Sequence, residues 1–302
     1  MMKAVQFSKY GGPAVLDIVD VEPPHPGPGE VRITVRAAGV NPSDWKRREG
    51  QYRTFEEVVF PAGLGVEGSG IVDEVGPGVR DVTIGDMVFG FGTNTMAEQA
   101  ILTHWAKKPN SLSFEVAAAL PVVSDTATRA LDQVGVAQGQ TLLVSGAAGG
   151  VGTAIVQLAR LRGITVIGTA SAAKHDYLRG LGVVPTTYGD GLEQRVGDLV
   201  PGGVNAAIDV VGSGVIPELV RIVGDPVHVL SVADFSAEQH GAKFSQGPPV
   251  DPAGLLATMA ELCAAGSFTL QIDRTFPLDQ VKEAQAVSQS GRVTGKLVVC
   301  VD

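Results

Sequence analysis

The sequence predicts an α/β protein of two domains, a partly open antiparallel β-barrel and a doubly wound parallel sheet inserted into it. Three observations carry that expectation. The first third consists of short β-branched strands broken by dense glycine and proline punctuation. From residue 141 apolar strands alternate with amphipathic helical segments, and after residue 268 the chain returns to extended character. At 302 residues it is long enough to bury two cores.

In chain order, strands are expected at Lys3 to Phe7, Val31 to Arg36, Gly70 to Val75 and Asp86 to Phe89. The stretch Glu22 to Gly29 is a rigid proline-rich connection, and Gly76 to Gly78 and Gly85-Asp86 are reversals. After Pro121 the rhythm changes. Ser124 to Val134 reads as a helix, Thr141 to Ser145 as an apolar strand and Val151 to Arg162 as a long helix. Strand then alternates with helix: Ile164 to Thr169, Ala172 to Leu181, Val183 to Thr187, Leu192 to Val200 and Ala206 to Val211. Strands that are apolar on both faces belong in a parallel sheet covered on both sides. Val227 to Val232, the helix Pro252 to Ala265, and the extended stretches Thr269 to Phe276 and Gly295 to Val301 complete the chain. The expected domains are therefore residues 1–122 with 268–302 for the barrel, and residues 123–267 for the parallel sheet.

Composition excludes several function classes. Asp and Glu number 32 against 23 Lys and Arg, a net charge of −9 that opposes binding to nucleic acid or anionic lipid. No apolar run approaches the roughly 18 residues of a membrane span, and the N-terminus lacks the apolar core of a signal peptide. The two cysteines, Cys263 and Cys300, form no disulfide framework. A cytoplasmic protein acting on a small molecule is expected, without nucleic-acid or membrane partners.

The strongest motif is Ser145 to Gly152, Ser-Gly-Ala-Ala-Gly-Gly-Val-Gly, lying between an apolar strand and an amphipathic helix. In register, Ala147 takes the tight turn, Gly149 the close approach to a pyrophosphate, and Gly152 the close packing of helix on strand. The amides of Gly150 and Val151 at the helix start then face the phosphates. About 20 residues on, where an NAD-binding chain places a carboxylate for the ribose, the strand exits through Gly168-Thr-Ala-Ser171, with Lys174 just beyond. Ser171 and Lys174 suit a 2′-phosphate, so NADPH is the expected cofactor.

These fragments, with Ala38 to Asp44, Gly85 to Gly90 and Gly291 to Lys296, occur in an order that resembles the medium-chain dehydrogenase/reductase superfamily, specifically its zinc-independent quinone oxidoreductase branch. The resemblance covers essentially the whole chain. It implies a GroES-like barrel domain, a Rossmann domain, a cofactor bound between them, and a homodimer. The zinc-dependent alcohol dehydrogenases of the same superfamily are the competitor. Asn41 stands where their catalytic cysteine belongs, their Gly-His-Glu motif reads Gly65-Val66-Glu67, and their four-cysteine lobe is missing. No metal site is expected.

Without a Lewis acid a simple alcohol is a hard substrate, whereas a quinone or an α,β-unsaturated carbonyl spreads the incoming charge onto a remote oxygen. The resemblance thus implies a small-molecule quinone or enone substrate. It sets Asn41 and Tyr52 beside the nicotinamide as the catalytic candidates. It also implies cofactor contacts from Thr126 at the start of a linking helix, from Tyr188, from the strand ends Val211-Gly212 and Ser231-Val232, and from Lys296. Plainer readings stand beside these: capping for Asn41 and Thr126, an ordinary loop tyrosine bonded locally for Tyr52, surface packing for Tyr188, simple strand ends, and a snorkelling lysine. Two other functions remain open, an enoyl reductase on thioester-linked acyl groups and an NADPH-binding sensor without turnover.

Overall fold

Strand and helix alternate as the apolar pattern predicts in the computed structural model, which describes residues 1–54, 56–247 and 249–301. In chain order the first elements are β1 (Met2–Phe7), β2 (Leu16–Val21), β3 (Val31–Val40), α1 (Pro42–Arg48), β4 (Ala62–Gly63), β5 (Glu67–Val75), β6 (Met87–Thr93), β7 (Gln99–Lys107) and α2 (Phe114–Val134). There follow β8 (Thr141–Ser145), α3 (Gly150–Leu161), β9 (Thr165–Thr169), α4 (His175–Gly180), β10 (Val184–Thr186), α5 (Leu192–Leu199), β11 (Ala206–Asp209), α6 (Ile216–Val223), β12 (Val229–Ser231) and β13 (Lys243–Phe244). The last are α7 (Pro252–Ala264), β14 (Ile272–Pro277), α8 (Val281–Gln289) and β15 (Lys296–Cys300). Contacts divide them into two units, Met1–Val122 with Asp251–Asp302, and Val123–Val250.

The first unit is the expected barrel. A six-stranded sheet runs β14-β15-β3-β5-β6-β7, and β3 also pairs with β7, which curls the sheet on itself; β2-β1-β4 form a smaller sheet. Val31, Ile33, Val35, Val72, Val88 and Leu102 fill one core, and Phe7, Leu16, Val40, Phe276, Leu297 and Val299 another. The end of β3 and the starts of β5 and β15 are the ground on which the first cluster described below is built.

The second unit is a six-stranded sheet, parallel throughout, in the order β10-β9-β8-β11-β12-β13. The order reverses direction between β8 and β11, so loops leaving their carboxyl ends diverge and open a crevice there. Leu143, Ile167, Ala207, Leu219 and Val229 pack its core.

Three expectations need correction. The helix expected at Ser124 begins at Phe114 and runs through Pro121. Proline deprives the helix of one N–H and crowds the preceding turn, yet the next amide, that of Val122, is taken by the buried Glu67 carboxylate at 2.8 Å, so the helix continues. Thr126 accordingly sits deep in α2 and caps nothing. The return to the barrel comes at 251 rather than 268, because α7 packs on β7 of the first unit. Finally, β2, β7, α1, α6 and α8 are elements that the sequence pattern does not single out. Among the described residues no helix is long and apolar enough to cross a membrane, and Cys263 and Cys300 are not joined in a disulfide.

Candidate functional site

In the first unit four polar side chains meet in the interior. Asn41 follows β3 and caps α1; its backbone N–H donates to Asp44 Oδ2 at 2.8 Å. Its Nδ2 donates to Glu67 Oε1 at 2.8 Å, and its Oδ1 accepts from Lys296 Nζ at 2.6 Å. Lys296 also pairs with Glu67 Oε1 at 2.7 Å. Asn41 is 3% exposed and Lys296 4%. The sequence makes room for this cluster locally: a Cβ on Gly39 would collide with the Glu67 carboxylate. Gly65 (φ +92°) and Gly295 (φ +72°) turn the chain just ahead of Glu67 and Lys296. Arg48, wholly buried, anchors the far end of α1 to the Gly11 carbonyl and to Gln285. A buried pair of this kind costs about 3–5 kcal/mol to break from one side, since the remaining charge is left without a partner.

Burial dominates the Asp44 carboxyl and raises its pKa to about 7; the Glu67 charge adds to the rise, while the Asn41 and Gly65 amides and Lys296 oppose it. The Tyr52 phenol is also pushed up, by burial first and then by Asp44 and Glu56, so it holds its proton and remains a donor. The structure thus joins Asn41 and Lys296 to two carboxyls the sequence reading did not place in the site, Glu67 and Asp44. Lys296 turns inward onto side chains of its own unit.

In the second unit β8 runs into the glycine loop. Gly146 carries the positive φ, +81°, and a Cβ there would strike Val211. The tight turn therefore belongs to Gly146; Ala147 is fully buried, its N–H held by the Thr169 carbonyl at 3.0 Å. A Cβ on Gly152 would collide with the Gly146 carbonyl, which is the expected close approach of α3 to β8. At Gly149, by contrast, the nearest atom is the Gly146 carbonyl at 3.6 Å, so space lies open beside the backbone at the N-cap of α3. The first amides of α3, at Gly150 and Val151, are partly exposed and lack partners within the helix, as helix N-termini do.

Next to this loop, β9 delivers Ser171, which precedes a 3-10 turn over Ala172–Lys174 and makes no capping bond with its hydroxyl. Asp176, the nearby carboxylate, is turned to Arg179 at 2.6 Å. Tyr188 stands 64% exposed beyond β10, and Val211 is 52% exposed beside Gly212 (φ +74°). Val232 is half-buried. Ser231 is buried, and its hydroxyl is spent inside the protein. It donates to Asp209 Oδ2 at 2.8 Å and accepts the amides of Ala233 and Asp234 at 3.0 and 2.9 Å. Asp209 in turn accepts the amides of Val211 and Gly212, both at 3.1 Å. Asp209 and Ser231 therefore shape the two loops at the carboxyl edge of the sheet. The available signal for Asp209 was a carboxylate closing an otherwise apolar strand.

Two domain families match the sequence: the alcohol dehydrogenase GroES-like domain over residues 27–108, and zinc-binding dehydrogenase over residues 187–299. The chain is 31% identical to a chloroplast envelope quinone oxidoreductase homolog of Arabidopsis thaliana, over 99% of this chain and 98% of that protein. It is likewise 31% identical to the 2-methylene-furan-3-one reductase of Solanum lycopersicum, over 99% of this chain and 79% of that one. A mycobacterial protein solved in complex with NADPH superposes with a TM-score of 0.87, at 28% identity, over 99% of this chain and 100% of that one. Matched over nearly its full length, with the barrel and the parallel sheet in the same order, the chain belongs to the medium-chain dehydrogenase/reductase superfamily, in its quinone oxidoreductase-like branch.

Proposed function

We propose that this chain is an NADPH-dependent, metal-free reductase of quinones or α,β-unsaturated carbonyls. The observation that carries the reading is the Lys296 ammonium lodged against Glu67 and Asn41. Zinc is held by thiolate, imidazole and carboxylate groups, and here the one carboxylate and the amide oxygen already serve a cation built into the chain. Zinc does not fit this donor set. Among the described residues no three His, Cys, Asp or Glu side chains converge elsewhere. An acceptor that delocalises charge through its own conjugation suits such a site.

The second unit offers what a dinucleotide requires: open space beside Gly149, unpartnered amides at the start of α3, and Ser171 with Lys174 in the next loop. When bound, NADPH supplies a hydride. That hydride would form a C–H bond at a conjugated carbon of the acceptor, the displaced electron pair would pass to the acceptor's oxygen, and that oxygen would take a proton from water. Tyr52, protonated, donates a hydrogen bond, and Asn41 orients the reactants with an N–H. The names of the relatives favour both acceptor classes, a quinone and a conjugated furanone.

The test is NADPH oxidation by chelator-treated protein against a quinone series and an enone series. Turnover that survives chelation is expected, with the faster series naming the acceptor; dependence on added zinc would overturn the reading. Cofactor choice is checked separately. Replacing Ser171 and Lys174 by Ala should raise the NADPH dissociation constant by at least about 100-fold, since two charge-assisted bonds at about 1.5–3 kcal/mol each are lost, and should leave NADH within about twofold. Equal losses for both cofactors would remove the assignment.

A further inference from the structure

Asn41, Glu67 and Lys296 close a ring of three hydrogen bonds. Lys296 Nζ donates to Asn41 Oδ1 and to Glu67 Oε1, and Asn41 Nδ2 donates to that same carboxylate oxygen. The ring tells the two ends of the amide apart. Turned over, Asn41 would set its NH₂ against an ammonium and its carbonyl against a carboxylate, two repulsive contacts in a buried setting. Glu67 is itself held, since its second oxygen accepts the Val122 amide at 2.8 Å and the space beside the carboxylate exists only because residue 39 is glycine. By valence, one N–H of Asn41 and one of Lys296 remain outside the ring.

We propose that Lys296 and Glu67 are positioning residues for hydride transfer, their ring fixing Asn41 so that it offers an N–H, and not its carbonyl, to the reactants. This rests on the function proposed above and deepens it. Lys296 acts through Asn41 instead of touching the cofactor. The ammonium does for this amide what a bound cation does for its ligands: it orients them without moving during the reaction.

The ring is removed with both charges at once by Lys296→Met together with Glu67→Gln, which leaves no unpaired buried ion. NADPH affinity is expected within about twofold of wild type, because the nucleotide loop is untouched, while the rate of acceptor reduction per NADPH-binding site falls at least about tenfold, the usual penalty of a misplaced reacting group. A purely structural role would lower the number of binding sites and leave the rate per site alone; that outcome overturns the proposal. A second arm needs no stable variant. In ¹⁵N-labelled wild-type protein the Asn41 side-chain amide should exchange with D₂O at least about 100-fold more slowly than an exposed asparagine. Exchange at the exposed rate overturns the proposal as well. If wild type binds NADPH but reduces no quinone or enone, the proposed function fails, and the exchange arm still decides whether the ring holds Asn41.

Discussion

Gly149→Asp should weaken NADPH binding by more than about 100-fold, a loss of about 2.7 kcal/mol, with a thermal midpoint close to that of wild type. The separation of the two effects follows from the geometry of the loop. A Cβ at residue 149 meets nothing nearer than the Gly146 carbonyl at 3.6 Å, so the folded chain accepts it. The added carboxylate then stands at the N-cap of α3, where the helix dipole favours it in the free protein and where it opposes a pyrophosphate approaching the same amides. Gly152→Ala should behave in the opposite way. Its Cβ would run into the Gly146 carbonyl and the backbone of Ala147, and backbone atoms cannot swing aside as a side chain can. Overpacking of that kind costs about 1–3 kcal/mol, so the midpoint falls first and cofactor affinity follows it. Fluorescence titration with NADPH, beside thermal melts of both variants, checks the pair. If Gly149→Asp bound NADPH normally, the nucleotide would not rest on this loop.

The contrast between these two glycines shows what local sequence carries. The strand Thr141–Ser145, the small-residue loop and the amphipathic helix after it are all specified within about a dozen residues, and they were legible in the apolar pattern. The finer register was not, because a fingerprint counted in small residues does not say which of them bears the positive φ. That residue is Gly146, while Ala147 is buried under β9. Asn41 was singled out through its motif, but its partners Glu67 and Lys296 lie 26 and 255 positions away and meet it only through the pairing of β3 with β5 and β15. The same distance hid the fate of Pro121. Read locally, a proline ends a helix; here Glu67, 55 residues earlier, receives the amide of the following residue. The helix α7 follows a run of strand–helix units and reads as one more of them, although its apolar face is buried on β7 of the barrel.

Asp44→Asn should stabilise the protein at pH 8 and do so by less than half as much at pH 5. In the folded chain the Asp44 carboxyl keeps its proton up to about pH 7, because burial outweighs the Asn41 and Gly65 amides and the Lys296 ammonium; the ordinary value for an aspartate is 3.8. Between those two values the native state binds a proton that the unfolded state has released. Stability is therefore greatest below about pH 4 as far as this group is concerned, declines as pH rises toward 7, and stays low above it. A displacement from 3.8 to about 7 corresponds to about 4 kcal/mol, at about 1.4 kcal/mol for each pKa unit. Asparagine cannot ionise, yet its Oδ1 can still accept the Asn41 N–H that closes the start of α1. The variant thus retains the hydrogen bond and loses the penalty. Urea unfolding of wild type and variant at pH 5 and pH 8 measures the difference, and an equal gap at both would mean that Asp44 does not titrate in this range. The charged and titratable groups around it are Glu67, Lys296, Arg48 and Tyr52. Because ionised Asp44 raises the Tyr52 phenol further, the loss of a proton from the carboxyl above pH 7 holds the phenol more firmly in its donor form. A carboxyl that weakens the fold at neutral pH therefore also keeps the Tyr52 phenol protonated.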